Sequence, residues 1–512
     1  MQKSYTKNYI KIYLWQGVSL VLNFLSMFIV IPYLTSDPTI YGIYTVCISV
    51  SIFLSYADLG FMGAGQKYAA EYFAKGKINE EIDVIGFTNF ILMIFLLLFS
   101  VGFLAISFYP EFLIKNLTPG KQETIASYLF LILALFTPVT LLQRLLQMIF
   151  GIRLEDYIIQ RTNIVASLIK ILSVLWFFRN GLYNIVGYFL FVQILNLLAA
   201  SYTLLLARLR YNYNLKILFK SIHFNKAIFL KTKNLAFSSL YLTITWILYY
   251  ELDPVIIGKF FGPNKVAIYA LGLTILSFFR SILGILFSPF NARFNHFVGL
   301  KDENGLKSFY LQIIAILAPI VVIPILTIAL LSSPLIFSWV GANYLESVEI
   351  TEFLVLCNIF AFIIYPTKTL LMAKERLIEI YSINTLIPLV FWIGIILTYQ
   401  IIGLKSFAIF KFIAFTLSAV AYFYIMLKFI GRKILKSLNE IFQSMLFPIL
   451  FVIITSFLIR DYLPHVKSKL NLLIVASVAL FIIFGSFILQ YFLSAKWRDQ
   501  FSNIVKVYKK SF

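Results

Sequence analysis

FYLQIIAILAPIVVIPILTIALLS, residues 309–332, carries no charged side chain. At 1.5 Å of rise per helical residue it is long enough to cross hydrocarbon about 30 Å thick. Pro319 and Pro324 inside it are no obstacle, because in a membrane neighbouring helices re-satisfy the backbone groups that proline frees. Runs of the same kind recur at 12–34, 40–62, 85–109, 125–149, 162–178, 185–207, 235–258, 266–290, 351–372, 381–399, 404–427, 442–460 and 470–493, so fourteen spans are expected in all. Composition agrees. Hydrophobic residues make up 61% of the chain and charged residues 13%, with a mean hydropathy of +0.90, against roughly 25% charged residues in a soluble globular chain. The expected fold class is an all-α polytopic membrane protein, with Pro32, Pro138, Pro254, Pro366 and Pro388 as further candidate kinks.

The Lys and Arg outside these runs orient them. Of the 43 basic residues, 29 fall on the side that holds both termini and nine on the other. Basic loops stay in the cytoplasm, so both ends are expected there and the net charge of +21 is mostly a topology signal. A nucleic-acid partner is not expected, since the bases are spread over short loops rather than gathered on one soluble face. The opening MQKSYTKNYIKIYLWQ is as basic as the start of a signal peptide. The apolar run behind it exceeds about 15 residues and meets no Ala-x-Ala cleavage site before Pro32, so it reads as a retained first span.

Counting Lys405 and Arg460, at the very edges of their runs, with the loops, five bases remain in the interior of the runs: Arg144, Lys170, Arg280, Lys368 and Lys411. Each costs about 2.5 to 3.5 kcal/mol at mid-bilayer on insertion scales, which points to a water-filled path shaped for an anion. Arg144 and Lys368 lie within about five residues of the inner ends of spans four and ten, where snorkelling to the headgroups is the competing reading. Lys170 and Arg280 lie roughly 12 Å or more from either interface, and Lys411 lies in the outer third of span twelve. Three acids accompany them. Asp58, near the inner mouth, fits either a gating ion pair with one of the bases or a helix-end role. Glu251 and Asp253, in the outer half of span seven, fit a coupling-cation site for sodium or a proton, a counter-charge to Lys411 or Arg280, or a simple Asp-Pro kink.

Catalytic patterns are missing. His223, His296 and His465 stand alone in loops or at their edges, with no metal-ligand spacing and no nucleophile-base arrangement. Cys47 and Cys357 read as small core residues. GFMGAGQK at Gly60 lacks the Gly-Lys-Ser/Thr ending of a phosphate loop, and close helix packing by Gly60, Gly63 and Gly65 is the better reading. No enzyme, metal or cofactor is expected beyond a coupling Na+ or H+.

An internal repeat organises the chain. DPTIYGIY at 37–44 matches GPNKVAIY at 262–269, pairing Pro38 with Pro263, Ile43 with Ile268 and Tyr44 with Tyr269, and Pro138 pairs with Pro366 in nearly the same register. The expected division is an N-lobe at 1–207 (spans one to six), a basic interlobe segment at 208–234, a C-lobe at 235–427 (spans seven to twelve), and spans thirteen and fourteen with a basic tail at 428–512. Two six-span halves of like orientation are a transporter architecture. In the interlobe segment, Leu215, Leu218, Phe219 and Ile222 fall at helical spacing, with Lys216, Lys220 and Lys226 free to face lipid headgroups; a solvated basic loop is the alternative.

SYADLGFMGAGQKYAAEYFAKGK at 55–77 and LDPVIIGKFFGPNKVAIYALG at 252–272 resemble the Wzx-type polysaccharide repeat-unit flippases, the O-antigen and capsule exporters of the superfamily that also holds the lipid II flippases and the MATE antiporters. The resemblance implies two lobes alternating between inward-open and outward-open states in the bacterial cytoplasmic membrane. It implies as substrate an undecaprenyl-diphosphate-linked oligosaccharide, with membrane lipids, a polysaccharide polymerase and chain-length machinery as partners. The five bases would then handle the diphosphate. A lipid II-type flippase shares the same logic. A MATE-type cation antiporter would favour acids over bases, and a membrane polymerase or glycosyltransferase would need a large outer loop that is absent here.

Overall fold

The structure is a computed structural model that describes residues 2–179, 181–211, 215–288, 290–431, 443, 445–495 and 497–499. Among these residues the regular structure is entirely helical. Eleven helices are long and apolar enough to span a membrane, two bent pairs each pass as one broken span, and Leu446–Arg460 is a shorter apolar helix. These are the fourteen expected segments. The expected start of span thirteen at 442 lies outside the described residues.

The chain divides into two compact units, Met1–Ala267 and Ile268–Phe512. The first holds α1 (Gln2–Leu34), α2 (Pro38–Phe53), α3 (Phe61–Ala74), α4 (Ile78–Phe108), α5 (Lys121–Ile152), α6 (Tyr157–Phe177), α7 (Ile185–Tyr211), α8 (Leu215–Lys220), α9 (Lys226–Tyr250) and α10 (Asp253–Phe261). Next, α11 (Pro263–Phe287) begins in the first unit and runs into the second. The second then holds α12 (Phe290–Gly299), α13 (Glu303–Leu330), α14 (Ser332–Trp339), α15 (Ser347–Leu356), α16 (Ala361–Ala373), α17 (Leu377–Ile402), α18 (Lys405–Ile430), α19 (Leu446–Arg460) and α20 (Lys469–Leu493).

Local chemistry sets these boundaries. Asp37 caps α2 by accepting from the Ile40 N–H at 3.1 Å, with Pro38 at the first helical position, where its missing donor costs nothing. Asn225 and Asp302 cap α9 and α13 in the same way. The ends are just as regular. Past α3, Lys77 N–H bonds Tyr72 O and Gly76 N–H bonds Phe73 O; past α12, Asp302 N–H bonds Phe297 O and Lys301 N–H bonds Val298 O. Both are left-handed helix stops, centred on Gly76 (φ 71) and Lys301 (φ 56), 225 residues apart. Pro38 and Pro263 open α2 and α11 at that same offset, and Ile78 and Glu303 open α4 and α13 at it too. The next stop falls at Leu154 (φ 54) after α5 and at Glu375 (φ 55) after α16, so there the offset is 221.

The difference lies in the fourth helix of each repeat: α5 is one continuous helix, whereas α15 and α16 meet at a 41° bend. That bend falls at 357–360 rather than at Pro366, which sits inside α16. Span seven is also broken, by 42° between α9 and α10, with Pro254 in the first turn of α10.

Two expectations need correction. A Cβ at Gly60 would lie 2.3 Å from Ala236 O and one at Gly65 would lie 2.2 Å from Thr88 Oγ1, so both are close-packing sites, but nothing lies within 4 Å of one at Gly63, which is on the exposed face of α3. Leu218 and Phe219 of the interlobe segment also do not share a membrane-facing side. Leu218 is fully buried against Ile82 and Ile85 of α4, while Ile217 and Phe219 are exposed. The six-residue α8 is pulled onto α4 because Gly86 leaves room for the Ser221 backbone, 2.3 Å from where a Cβ would sit.

Replacing Gly65 by leucine forces atoms into filled space and is expected to cost about 1–3 kcal/mol, lowering the Tm of the detergent-purified protein. Gly63→Ala is expected to leave Tm unchanged or slightly raised. Comparable losses in both variants would contradict the packing described.

Candidate functional site

In the first unit, α2 ends at Phe53 and the chain passes through the single 3-10 turn Leu54–Tyr56 before α3. Leu59 and Gly60 turn it in left-handed conformations, φ 49 and 81. Asp58 then accepts from the Met62 N–H at 2.9 Å, which places a carboxylate at the positive end of α3. Arg144 of α5 reaches the same turn. Its Nη2 donates to Ser55 O at 2.8 Å and its Nη1 to Gln147 Oε1 at 3.0 Å, and its charge acts on Asp58. The turn thus gathers an arginine and a carboxylate from separate helices.

Lys170 lies on α6 in a stripe with Ala166, Val174 and Phe178, which are buried, and away from Leu168, Leu172 and Leu175, which are exposed. Its ammonium has no hydrogen-bond or ion-pair partner among the described residues. Glu251 and Asp253 flank the α9–α10 break and are 7% and 0% exposed. Asp253 opens α10, which packs on α2.

In the second unit, Arg280 of α11 acts electrostatically on Tyr365 of α16, whose ring stacks on Phe287 with centroids 4.9 Å apart. Lys368 follows one turn later on the same half-exposed face of α16, with no hydrogen-bond or ion-pair partner among the described residues. The face of α11 around Arg280 differs from the neighbouring helices. The exposed residues of α11 are Asn264, Ser281 and Gly284, and no large apolar side chain of α11 is among the exposed ones, whereas α17 exposes Leu389, Ile393, Ile396 and Leu397. Small polar exposure beside an arginine on a membrane helix is a surface made for water rather than for lipid. Lys411 is placed differently. It is 1% exposed inside the packing of α18 on α17, with Nζ 5.1 Å from the Phe391 ring centroid, a cation–π distance.

Sequence reading missed a polar cluster around the α5–α6 loop. Arg153 is 2.8 Å from Glu81 Oε1, with the two side chains 9% and 0% exposed. The Arg153 guanidinium also sits over the Phe73 and Tyr211 rings at 4.6 and 4.7 Å. Glu155 accepts two 2.7 Å bonds from Arg210 and another from Tyr211. Burial pushes the Glu155 carboxyl up, but the bonds from Arg210 and Tyr211 outweigh it and hold the group below the usual carboxylate range. Partners so far apart in sequence leave no local signal; the one clue was acidic Glu81 opening a hydrophobic helix.

No family model matches the chain, and no curated protein matches it. Solved structures do. The lipid II flippase MurJ in an inward closed conformation matches with a TM-score of 0.61 at 15% identity, covering 93% of this chain and 98% of that one. A multidrug resistance MATE family transporter of the MOP superfamily matches in its inward-facing conformation with a TM-score of 0.63 at 14% identity, over 80% of this chain and 94% of that one. An outward-facing conformation of such a transporter gives 0.52 at 13% identity, over 83% and 96%. The chain shares the fold of these flippase and transporter structures. At these identities the likeness is one of fold, and the substrate has to be argued from the chain's own residues.

Removing one partner of a buried ion pair is expensive, about 3–5 kcal/mol, because the other charge stays behind. Arg153→Ala is therefore expected to lower Tm sharply, and the double variant Glu81→Leu/Arg153→Met to recover most of the loss. A double variant no better than the single one would show that the charges themselves, not their burial, set the stability of this loop.

Proposed function

We propose that this chain flips an undecaprenyl-diphosphate-linked oligosaccharide from the inner to the outer leaflet of the bacterial cytoplasmic membrane, by alternating access between lobes at 1–207 and 235–427. The observation that carries the reading is Arg280. A guanidinium on a membrane helix whose exposed neighbours are serine and glycine offers a positive charge along a small, polar face, and the diphosphate of a lipid-linked sugar is an anion suited to it. Lys170 and Lys368, ammonium groups with no hydrogen-bond or ion-pair partner among the described residues, support the same substrate charge. Arg144 and Asp58 form the group suited to opening and closing one end of the path. Glu251 and Asp253 are the carboxylates through which sodium or a proton would couple, and Lys411 has a supporting part.

A lipid II-type flippase is the second reading. The excess of bases over acids in the interior of the spans, five against three, favours a lipid-linked anion over a small cation. Repeat-unit export adds a polymerase and chain-length machinery as downstream partners. Flipping assays in reconstituted vesicles, with lipid-linked repeat units and lipid II as alternative substrates, separate the two readings.

Loss of a charged hydrogen-bonding group costs about 1.5–3 kcal/mol, which is roughly ten- to a hundredfold in rate. Arg280→Ala and Lys170→Ala are each expected to slow flipping by that factor at wild-type protein levels, and Arg280→Lys to recover part of it, since charge matters before guanidinium geometry. Normal flipping by both alanine variants would sink the assignment.

Orientation has its own check. A reporter fused after Arg210 should read cytoplasmic and one at Asn343 should read external, as the 29 to nine distribution of bases requires. Both reporters reading on one side would overturn the fourteen-span topology.

A further inference from the structure

The first unit contains an apolar groove of 420 Å³ in which none of the bases or acids discussed above takes part. It runs between α2, α4 and α10, from Phe53 past Phe99, Gly102 and Phe103 to Leu113 and Val255, and every lining residue is apolar or glycine. Its size falls within the roughly 300–1,000 Å³ typical of ligand pockets. The concavity is built in. Gly102 faces it with nothing within 4 Å of an added Cβ, and the wall beyond is fixed because Lys115 N–H bonds Gly258 O at 3.0 Å, tying the loop after α4 to α10.

Charge appears only at one end. The exposed charged side chains on the loop 109–120 and on α10 are Glu111, Lys115 and Lys259. Lys259 is held there by a bond from Nζ to Phe112 O, and it lies 5.0 Å from the Phe112 ring centroid. The Lys259 ammonium therefore sits at Phe112, next to Leu113 at the end of the groove where α4 stops, with Lys115 and Glu111 exposed on the same loop.

We propose that this groove is a binding site for one acyl chain of an anionic phospholipid, whose headgroup phosphate lies against Lys115 and Lys259. Apolar walls with a basic mouth match that ligand: the chain replaces solvent or void along the groove, and the phosphate accepts from the two ammonium groups. A phospholipid is favoured over the tail of a polyprenyl diphosphate because the groove accommodates a single short chain length, and its mouth lies at an end of the unit away from the Arg144–Asp58 turn. The assignment is independent of the transported substrate.

The test uses the full-length purified protein, with native mass spectrometry to count bound lipid and thermal unfolding to follow it, in mixtures of phosphatidylglycerol and phosphatidylcholine. One phosphatidylglycerol is expected to be retained roughly tenfold more tightly than phosphatidylcholine, the factor that one charge-assisted contact gives, and to raise Tm as its concentration rises. Gly102→Phe fills the groove and is expected to abolish both effects while the lipid-free Tm stays at least as high. Lys115→Glu, an exposed change that leaves the fold alone, is expected to erase the preference between the two lipids. Equal retention of both lipids by the wild type, an undiminished phosphatidylglycerol shift in Gly102→Phe, or displacement of phosphatidylglycerol by polyprenyl phosphate at equal concentration would each overturn the proposal.

Discussion

A peptide group in hydrocarbon has nothing to bond except another peptide group, so each backbone N–H and C=O that enters a membrane has to be answered by the chain itself. The architecture follows from that constraint, and its irregular places show it most clearly. At the α9–α10 break the N–H groups of Glu251 and Leu252 both return to Ile247 O at 3.1 Å. At the α15–α16 break the ladder tightens: Asn358 bonds back to Val355, Ile359 to Leu356 and Ala361 to Asn358, each three residues behind, and the Asn358 side chain reaches Leu276 O on α11 at 3.3 Å. At both bends backbone donors turn to nearer carbonyls than a straight helix would use or share one with a neighbour. Both sit where packing against a neighbouring helix allows it.

Side-chain charge obeys the same rule with a different solution. Where a charge lies near a helix end it is answered by the protein, as Glu81 is by Arg153 and as Glu155 is by Arg210. Lys170 and Lys368, on α6 and α16, lack hydrogen-bond and ion-pair partners among the described residues. Lys411 is placed in a third way, against an aromatic face in a buried setting.

Much of the fold was legible because hydrophobic run length and proline placement are local properties. All but the last two residues of the run at 309–332 lie within α13, and Pro38 and Pro263 mark equivalent helix starts. The bends were not legible: Pro366 drew attention to the wrong place, since a helix accommodates proline while four ordinary residues at 357–360 carry the break. The site was legible by residue type but not by direction. Nothing in the sequence around Lys411 shows that it faces Phe391, and nothing around Arg280 shows that α11 turns serine and glycine outward, because a 3.6-residue period gives no phase for helices that are apolar all round. The Glu81–Arg153 pair was invisible for a simpler reason: 72 positions separate its members.

The register of the repeat extends to its charges. Counting 225 residues from Ser55 arrives at Arg280, and counting 221 from Arg144, the offset that holds after the shortened fourth helix, arrives at Tyr365. Ser55 O accepts from Arg144 in one unit, and Tyr365 feels the charge of Arg280 in the other. These are equivalent positions in the two copies, with the guanidinium on opposite members. Gln147 corresponds to Lys368 by the same count. The same junction thus carries its positive charge on α5 in the first unit and on α11 in the second, so the repeat keeps the sign of the charge while exchanging the helix that supplies it.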